Sequence, residues 1–205
     1  MISKIKYYTA FILVFLFNIP VYAAPNGANV VYGDVNISQS GSNTVINQNT
    51  DKAIINWNSF DVNKGESVLF NQNSSSSIIL NRVTSGLPTN IFGNISANGN
   101  VFILNQAGVL VGNGAQINTN SFLAGAASIN DKDFLAGKHN FYGAQGNVIN
   151  NGSIKVQDGG YSVLMGKKVE NNGLISAKFG KIYLTSCPTF RMYMSANDLI
   201  GLAVE

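Results

Sequence analysis

Short apolar runs separated by polar corners recur along most of this chain. The clearest example is Ile95–Gly112, in which the runs VFIL and VLV flank the polar step Asn105–Gly108. The segment Glu66–Val83 contains two similar runs, SVLF and SIIL. Runs of this length, bounded by Asn, Gly and Ser, are typical of β-strands that are buried against other strands. Since no long segment repeats apolar residues with the helical period, the pattern predicts an all-β protein.

The later half of the chain repeats itself at a spacing of about 21 residues. The triplet Asn150-Asn151-Gly152 returns as Asn171-Asn172-Gly173, and Ile95 and Ile117 lie 22 residues apart. Further pairs at the offset of 21 are Val148 with Val169, Ile154 with Ile175, Gly159 with Gly180, Tyr161 with Ile182 and Val163 with Leu184. We therefore expect Asn150 to stack on Asn171 and Asn151 on Asn172, as ladders of side-chain amides.

A repeat of this length built from short strands indicates a solenoid. About 21 residues at ~3.3 Å each complete one turn of a three-sided coil. The left-handed hexapeptide helix would need an aliphatic residue at every sixth position, and the sequence does not have one. We therefore predict a right-handed parallel β-helix with rungs of roughly 21 residues.

The first 24 residues have the pattern of a removable signal peptide. Lys4 and Lys6 precede the apolar run Ala10–Phe17, which is short for a membrane span, and Pro20 follows. Small residues then favour cleavage after Ala23 or Ala24.

Residues 25–205 are predicted to form one β-helix domain. An N-terminal cap over 26–61 would cover the open end of the first rung, with Trp57 and Phe60 in its core. Rungs would follow over 66–205, and 121–146 would be an insertion off the stack because the period is interrupted there.

Composition and charge narrow the class of protein. Charged residues make up only 11% of the chain, well below the roughly 25% of ordinary soluble domains. Removing Lys4 and Lys6 with the signal peptide leaves 11 basic residues of the original 13, against 10 acidic ones. This near-neutral balance argues against a nucleic-acid partner.

The residues that could support catalysis or metal binding are few. Cys187 is the only cysteine, so we expect a small buried residue in the last rungs, or otherwise an intermolecular disulfide. The only histidine is His139. Asp131 and Asp133 are the best carboxylate pair, and they would serve a carbohydrate-active β-helix enzyme, our alternative function. In a turn, solvated charge is the simpler interpretation, so we expect no enzyme, metal or cofactor.

With these residues considered, the chain resembles the N-terminal secretion domain of two-partner-secretion exoproteins, also called the haemagglutination-activity domain. This group includes filamentous haemagglutinin, the high-molecular-weight adhesins and secreted haemolysins. The matching segments are WNSFDVNKGESVLFNQ at Trp57–Gln72, ILNRVTSG at Ile79–Gly86, ISANGNVFILNQAGVLVG at Ile95–Gly112, GAQINTNSFLA at Gly114–Ala124 and SANDLIGLAVE at Ser195–Glu205. Of the family's Asn-Pro-Asn-Gly signature, Asn105 and Gly108 match, while Gln106 and Ala107 replace the Pro and the second Asn.

The resemblance implies a right-handed β-helix with an N-terminal cap that acts as an export signal. The general secretory machinery and signal peptidase would bring the protein into the periplasm of a Gram-negative bacterium. An outer-membrane β-barrel transporter with periplasmic polypeptide-binding domains would then pass it to the cell surface, where the β-helix would nucleate folding.

By the same resemblance, the export site is expected at Asn105, Gln106, Ala107 and Gly108, together with Asn81 and Arg82. A directly adhesive module that binds host cells or glycans is a further alternative for the function of the chain.

Overall fold

The computed structural model describes residues 24–195 and 198–204, so the predicted signal peptide lies, apart from Ala24, outside the described residues. Within them, no helix is long and apolar enough to cross a membrane. The first twelve strands are β1 (Asn29–Tyr32), β2 (Val35–Ser40), β3 (Asn43–Gln48), β4 (Lys52–Trp57), β5 (Ser67–Gln72), β6 (Ile78–Val83), β7 (Thr89–Ile91), β8 (Asn94–Ala97), β9 (Asn100–Leu104), β10 (Gly108–Val111), β11 (Gln116–Thr119) and β12 (Ser121–Gly125).

The remaining elements contain the one helix of the described residues. They are β13 (Ser128–Ile129), α1 (Asp131–Leu135), β14 (His139–Tyr142), β15 (Asn147–Asn150), β16 (Ser153–Val156), β17 (Tyr161–Gly166), β18 (Lys168–Asn171), β19 (Leu174–Ala177), β20 (Lys181–Ser186), β21 (Thr189–Ser195) and β22 (Asp198–Val204).

Three of the sheets are the faces of a coil. Face 1 has the order β1-β4-β6-β9-β12-β17-β20, face 2 the order β2-β3-β5-β8-β11-β16-β19, and face 3 the order β7-β10-β15-β18. From β3 onward, consecutive strands of the coil lie on different faces. From β5 onward, each coil strand except β7, the first strand of face 3, pairs in parallel with the strand of the preceding rung. Ile117 lies opposite Ile95, for example. The predicted parallel β-helix is confirmed.

Between the last two rungs, the predicted offset of 21 residues holds on faces 2 and 3 and fails on face 1. Val148 pairs with Val169 on face 3 and Ile154 pairs with Ile175 on face 2. On face 1 the prediction was wrong, because Ser162 rather than Tyr161 lies opposite Ile182. The corner before β20 is one residue shorter than the corner before β17, and it contains Phe179 at a left-handed φ of 55°.

The interior of the coil is a continuous apolar core. At its N-terminal end, the rings of Trp57 and Phe60 meet edge to face with centroids 5.4 Å apart, and Phe60 stacks on Phe70 at 6.4 Å. All three side chains are buried, as predicted for Trp57 and Phe60. Along the rungs, inward residues such as Ile95 and Ile117 continue the stack. Burial of this kind is the main stabilising contribution to a solenoid.

The N-terminal cap is shorter than the predicted span of 26–61. Only β1 and β2 pair antiparallel, with β4 and β3 respectively. Strands β3 and β4 already pair in parallel with β5 and β6. They belong to the coil because Ile46, Ile55 and Trp57 point into its core.

A fourth sheet lies outside the coil, and it corrects two predicted boundaries. Its order is β13-β14-β21-β22, with antiparallel pairing throughout. We call β13, α1, β14, β21 and β22 the clasp. The insertion begins after Gly125 rather than at 121, because β12 pairs on both sides within face 1. The rungs end at Ser186 rather than at 205, because β21 pairs with β14.

The clasp covers the outer surface of face 1 and forms a second core there. From face 1 come outward residues such as Leu80, Phe102 and Leu123, and from the clasp come Phe134 and Phe141. Strands β6 and β9 are therefore buried on both surfaces. This explains why SIIL and VFIL are unbroken apolar runs rather than alternating ones.

The asparagine ladders form as predicted. Asn150 Nδ2 donates to Asn171 Oδ1 at 2.7 Å, and Asn172 Nδ2 donates to Asn151 Oδ1 at 3.0 Å. Asn150 is fully buried, and its Oδ1 also accepts from the backbone N–H of Gly152 at 3.1 Å. The Asn150–Asn171 ladder, which we call the inner ladder, therefore stabilises a corner as well as linking two rungs.

This difference predicts unequal effects of two matched substitutions. Asn150→Ala should lower the free energy of unfolding by about 1–3 kcal/mol, because it removes three hydrogen bonds made by a fully buried side chain. Asn151→Ala, on the solvent-facing ladder, should change it by less than about 0.5 kcal/mol. Urea denaturation of both variants measures the difference, and equal effects would contradict a special role for the inner ladder.

Candidate functional site

The Asn105–Gly108 corner joins β9 on face 1 to β10 on face 3. The backbone N–H of Gly108 donates to Asn105 O at 2.8 Å, which closes a tight turn. Inside it, Asn105 Oδ1 accepts from the backbone N–H of Ala107 at 3.0 Å. This local bond between side chain and backbone is the usual reason for Asn at the start of a turn.

The side chain of Asn105 also holds the preceding corner of the coil. Its Nδ2 donates to Leu87 O at 2.8 Å and to Thr89 Oγ1 at 3.0 Å. Asn105 is buried, its bond to Thr89 is buried as well, and its other two bonds are partly buried. One amide therefore fixes two successive corners, so Asn105 has a structural role.

Position 108 requires a glycine, because the backbone of the next rung lies too close to admit a side chain. Its φ is +126°, and a Cβ at this position would lie 2.8 Å from Asn147 O on β15. Gln106, in contrast, is exposed, and its Nε2 donates to Gly143 O in the clasp at 3.3 Å. Ala107 is half-buried. The corner therefore presents Gln106 and Ala107 to the outside.

The other predicted pair, Asn81 and Arg82, divides between the two surfaces of β6. Asn81 is fully buried inside the coil, where its Oδ1 accepts from Trp57 Nε1 at 3.0 Å and its Nδ2 donates to Phe102 O at 3.2 Å. Arg82 points outward, because successive residues of a strand face opposite sides. The pair therefore does not form a single site.

Arg82 fastens the clasp to the coil. Its guanidinium donates to Asn56 Oδ1 at 3.1 Å, to Ile129 O at 3.0 Å and to Asp131 Oδ1 at 2.5 Å. The last contact is an ion pair in which the Arg82 side chain is 19% exposed and the Asp131 side chain 39%. No sequence signal near Arg82 pointed to these partners, which lie 26 to 49 residues away in the chain.

Arg82 and the Asn105–Gly108 corner do meet at one cleft, which we call the Arg82 cleft. It has a volume of about 290 Å³ and lies between face 1, the corner and the start of the clasp. Its lining includes Arg82, Thr84, Asn105, Gln106, Ala107 and Ser128. Asn81 and Gly108 do not line it. The sequence motifs therefore predicted part of this cleft, while the wall supplied by the clasp came only from the fold.

The candidate catalytic residues do not converge. Asp131 and Asp133 both lie in the first turn of α1, and each has a partner of its own. Asp131 pairs with Arg82, and Asp133 Oδ2 accepts from Asn140 Nδ2 at 3.5 Å. Among the described residues, no three His, Cys, Asp or Glu side chains are grouped as metal ligands would be.

Cys187 lies between β20 and β21, just after the last rung. It is half-buried and packs at the border of the second core. An intermolecular disulfide through Cys187 stays a prediction.

The family model for the TPS (two-partner secretion) secretion domain matches residues 21–190 of this chain. The chain belongs to this family.

Two solved structures share the fold. The HMW1 secretion domain from Haemophilus influenzae is 32% identical with a TM-score of 0.82, and the match covers 89% of this chain and 50% of that one. The filamentous haemagglutinin secretion domain is 19% identical with a TM-score of 0.60, over 87% of this chain and 69% of that one, and it supports the fold alone.

A curated relative is much longer than this chain. The heme/hemopexin-binding protein of Haemophilus influenzae strain Rd is 35% identical over 195 residues, which cover 88% of this chain and 21% of the relative. The chain thus spans about a fifth of the length of that protein.

Substitution of Gly108 tests the geometry of the corner. We expect Gly108→Ala to lower the free energy of unfolding by about 1–3 kcal/mol, because strain and a clash with Asn147 combine. Gly114 is a matched control, with a φ of +86° and open space where a Cβ would lie. Gly114→Ala should lower the free energy of unfolding by only about 1 kcal/mol, because it adds backbone strain without a clash. Thermal or urea unfolding compares them, and equal losses would show that the contact with Asn147 is unimportant.

A double-mutant cycle tests whether Arg82 fastens the clasp. For Arg82→Gln and Asp131→Asn we expect a coupling energy of about 1 kcal/mol, since the pair is partly shielded from water. Lys178 and Asp158 provide the control, with Nζ and Oδ2 3.2 Å apart and both side chains about two-thirds exposed. Their coupling should be close to zero. The cycle is measured from urea unfolding, and equal couplings for both pairs would contradict the role of Arg82.

Proposed function

We propose that this domain is the export signal of a secreted, adhesin-like exoprotein. In this proposal a cognate outer-membrane β-barrel transporter recognises the domain in the periplasm through polypeptide-binding domains and passes it to the cell surface. The observation that carries the proposal is the match of the TPS secretion domain over residues 21–190, on a chain that has the corresponding fold. We further propose that residues 1–24 are a signal peptide, used by the general secretory machinery and removed by signal peptidase.

The candidate site residues differ in burial, and this determines whether a transporter could contact them in the folded domain or only in the unfolded chain. Asn81, Asn105 and Gly108 are buried in the folded domain. In the folded domain they act through the stability of the coil, and Asn81 and Gly108 do not line the Arg82 cleft. Gln106 and Ala107 are accessible in both states. We therefore assign direct recognition to Gln106 and Ala107, with Arg82 as the neighbouring side chain across the cleft.

The two ends of the coil differ in a way that favours folding from the N-terminal end towards the C-terminal end. At the N-terminal end, β1 and β2 run antiparallel and cover the first rung. At the other end, among the described residues, β18, β19 and β20 have no neighbour on their outer side. Ile182 and Leu184 point into the coil there and are 45% and 49% exposed. Such an end can template a further rung, because its strand edges and apolar residues are unpaired.

We propose no catalytic activity and no haem site within residues 24–204. The relative named for binding of heme and hemopexin extends far beyond this domain. In this chain the single histidine is buried among aromatic rings, and Asp131 is engaged by Arg82. Binding to host cells or glycans by this domain has no observation in its favour.

Secretion in a strain that carries the cognate transporter gene tests the proposal. Deleting that gene should leave the protein in the periplasm, because the chain has no other predicted route through the outer membrane. Fractionation and immunoblotting of periplasm and medium measure the distribution. Secretion that is unchanged by the deletion would overturn the export-signal function.

Substitutions in the Asn105–Gly108 corner test which residues the transporter recognises. Gln106→Ala should reduce secretion several-fold while leaving the free energy of unfolding unchanged, because Gln106 is exposed and makes one long hydrogen bond. Gln116→Ala, an exposed glutamine on β11, is the matched control and should be secreted normally. Normal secretion of Gln106→Ala would remove Gln106 from the recognition site without affecting the wider proposal.

A further inference from the structure

The clasp is built so that it can separate from the β-helix. Among the described residues, its four strands pair only with one another and with no strand of the three faces. Its attachment includes the second core and a few polar contacts. Arg82 bonds to Ile129 O and Asp131, Lys52 Nζ donates to Leu135 O at 2.6 Å, and Gln106 donates to Gly143 O just after β14. Opening the clasp therefore leaves every ladder of the coil intact.

His139 lies at the centre of this attachment. Its ring is 2% exposed and is surrounded by the rings of Phe102, Phe134 and Phe141, with centroids at 5.6, 5.9 and 6.4 Å. Phe102 belongs to face 1 and the other two rings to the clasp. Within the described part of the chain, neither ring nitrogen has a hydrogen-bond partner. This environment accommodates a neutral imidazole and penalises an imidazolium.

The charged groups of the surrounding elements do not offer the ring a counter-ion. On β4, Lys52 acts on His139 with the same sign of charge. On β21, the Nε of Arg191 donates to Asn140 Oδ1, and strand β9 has no ionisable side chain.

The helix α1 carries the two carboxylates of this region. Asp131 pairs with Arg82 and Asp133 accepts from Asn140, so both are engaged by other side chains. Lys132, which lies between them in the chain, and Lys138, which precedes His139, are exposed.

We propose that the clasp is an acid-sensitive element, in which protonation of His139 releases it from face 1 while the β-helix stays folded. This proposal goes beyond export and does not depend on it. Opening would break the contacts of Arg82 and Gln106 with the clasp. It would also remove the Ser128 wall of the Arg82 cleft, so the site on the corner would become more accessible in acid.

The direction of the pH dependence follows from the protonation of the ring. Burial, followed by the charge of Lys52, lowers the pKa of His139 from 6.5 to about 4 in the closed state. In the open state the ring is in water, with a pKa near its ordinary value of about 6.5. The closed clasp is therefore fully stabilised above about pH 6.5 and loses stability as the pH falls towards 4. Between pH 7 and pH 5 its opening constant should rise about 20-fold.

Because His139 is the only histidine, its titration can be followed without assignment ambiguity. In the untagged protein, the imidazole carbon-bound proton should show a single NMR titration with a pKa of about 4, below the ordinary value of 6.5. A folded-state pKa at the ordinary value would overturn the proposal. This measurement needs no substitution, so it stays decisive if variants fold poorly.

Hydrogen exchange then tests whether the clasp alone responds. Between pH 7 and pH 5, protection factors of the β14 and β21 amides, corrected for intrinsic exchange, should fall about 20-fold. Amides of β9 and β12, and the fluorescence of Trp57, the single tryptophan inside the coil, should not change. A uniform fall across coil and clasp would show global unfolding and contradict a separate clasp.

The variant His139→Phe is the matched control, since it keeps an aromatic ring among three phenylalanines and cannot be protonated. Its clasp protection factors should be the same at pH 7 and pH 5. A fall equal to that of the wild type would assign the effect to other groups and would refute the role of His139.

Discussion

The burial of face 1 on both of its surfaces is the constraint on which the rest of this structure depends. Its inward residues complete the core of the coil, and its outward residues form a second core with the clasp. A coil alone would leave Leu80, Phe102 and Leu123 in water, at about 1.5–3 kcal/mol for each side chain. The clasp is therefore part of the domain's stability, although it adds no rung to the β-helix.

This double burial also places the candidate site. The corner follows directly on β9, a strand that is buried at every position. Arg82 lies on the same face one rung earlier, and its side chain contacts the clasp. Site and clasp are thus joined by physical contacts, through Asp131 and through Gly143. A change in the attachment of the clasp must alter the Arg82 cleft, which is how a buried histidine some distance from the corner can affect it.

Several features could be predicted because they depend on residues close in the sequence or on exact repetition. The Asn150–Asn171 ladder and the pairing of Ile95 with Ile117 follow from matched spacing, and the parallel coil follows from them. The misplaced partner of Ile182 shows the limit of this reasoning, because one residue fewer in a corner shifts every later pair of a strand. The resemblance to the family located the corner, but it did not show that Asn81 and Asn105 are buried.

The sequence by itself determined the strands, the repeat and the family, because apolar runs, Asn and Gly corners and motif order are local properties of the chain. Only the tertiary structure decided that β21 and β22 leave the coil, that Arg82 pairs with Asp131, and that His139 lies among three phenylalanines. These outcomes depend on which surfaces remain unburied once the coil has formed. The contact of Arg82 with Asp131 joins residues 49 positions apart, that of Arg191 with Asn140 joins residues 51 apart, and neither leaves a periodic signal in the sequence.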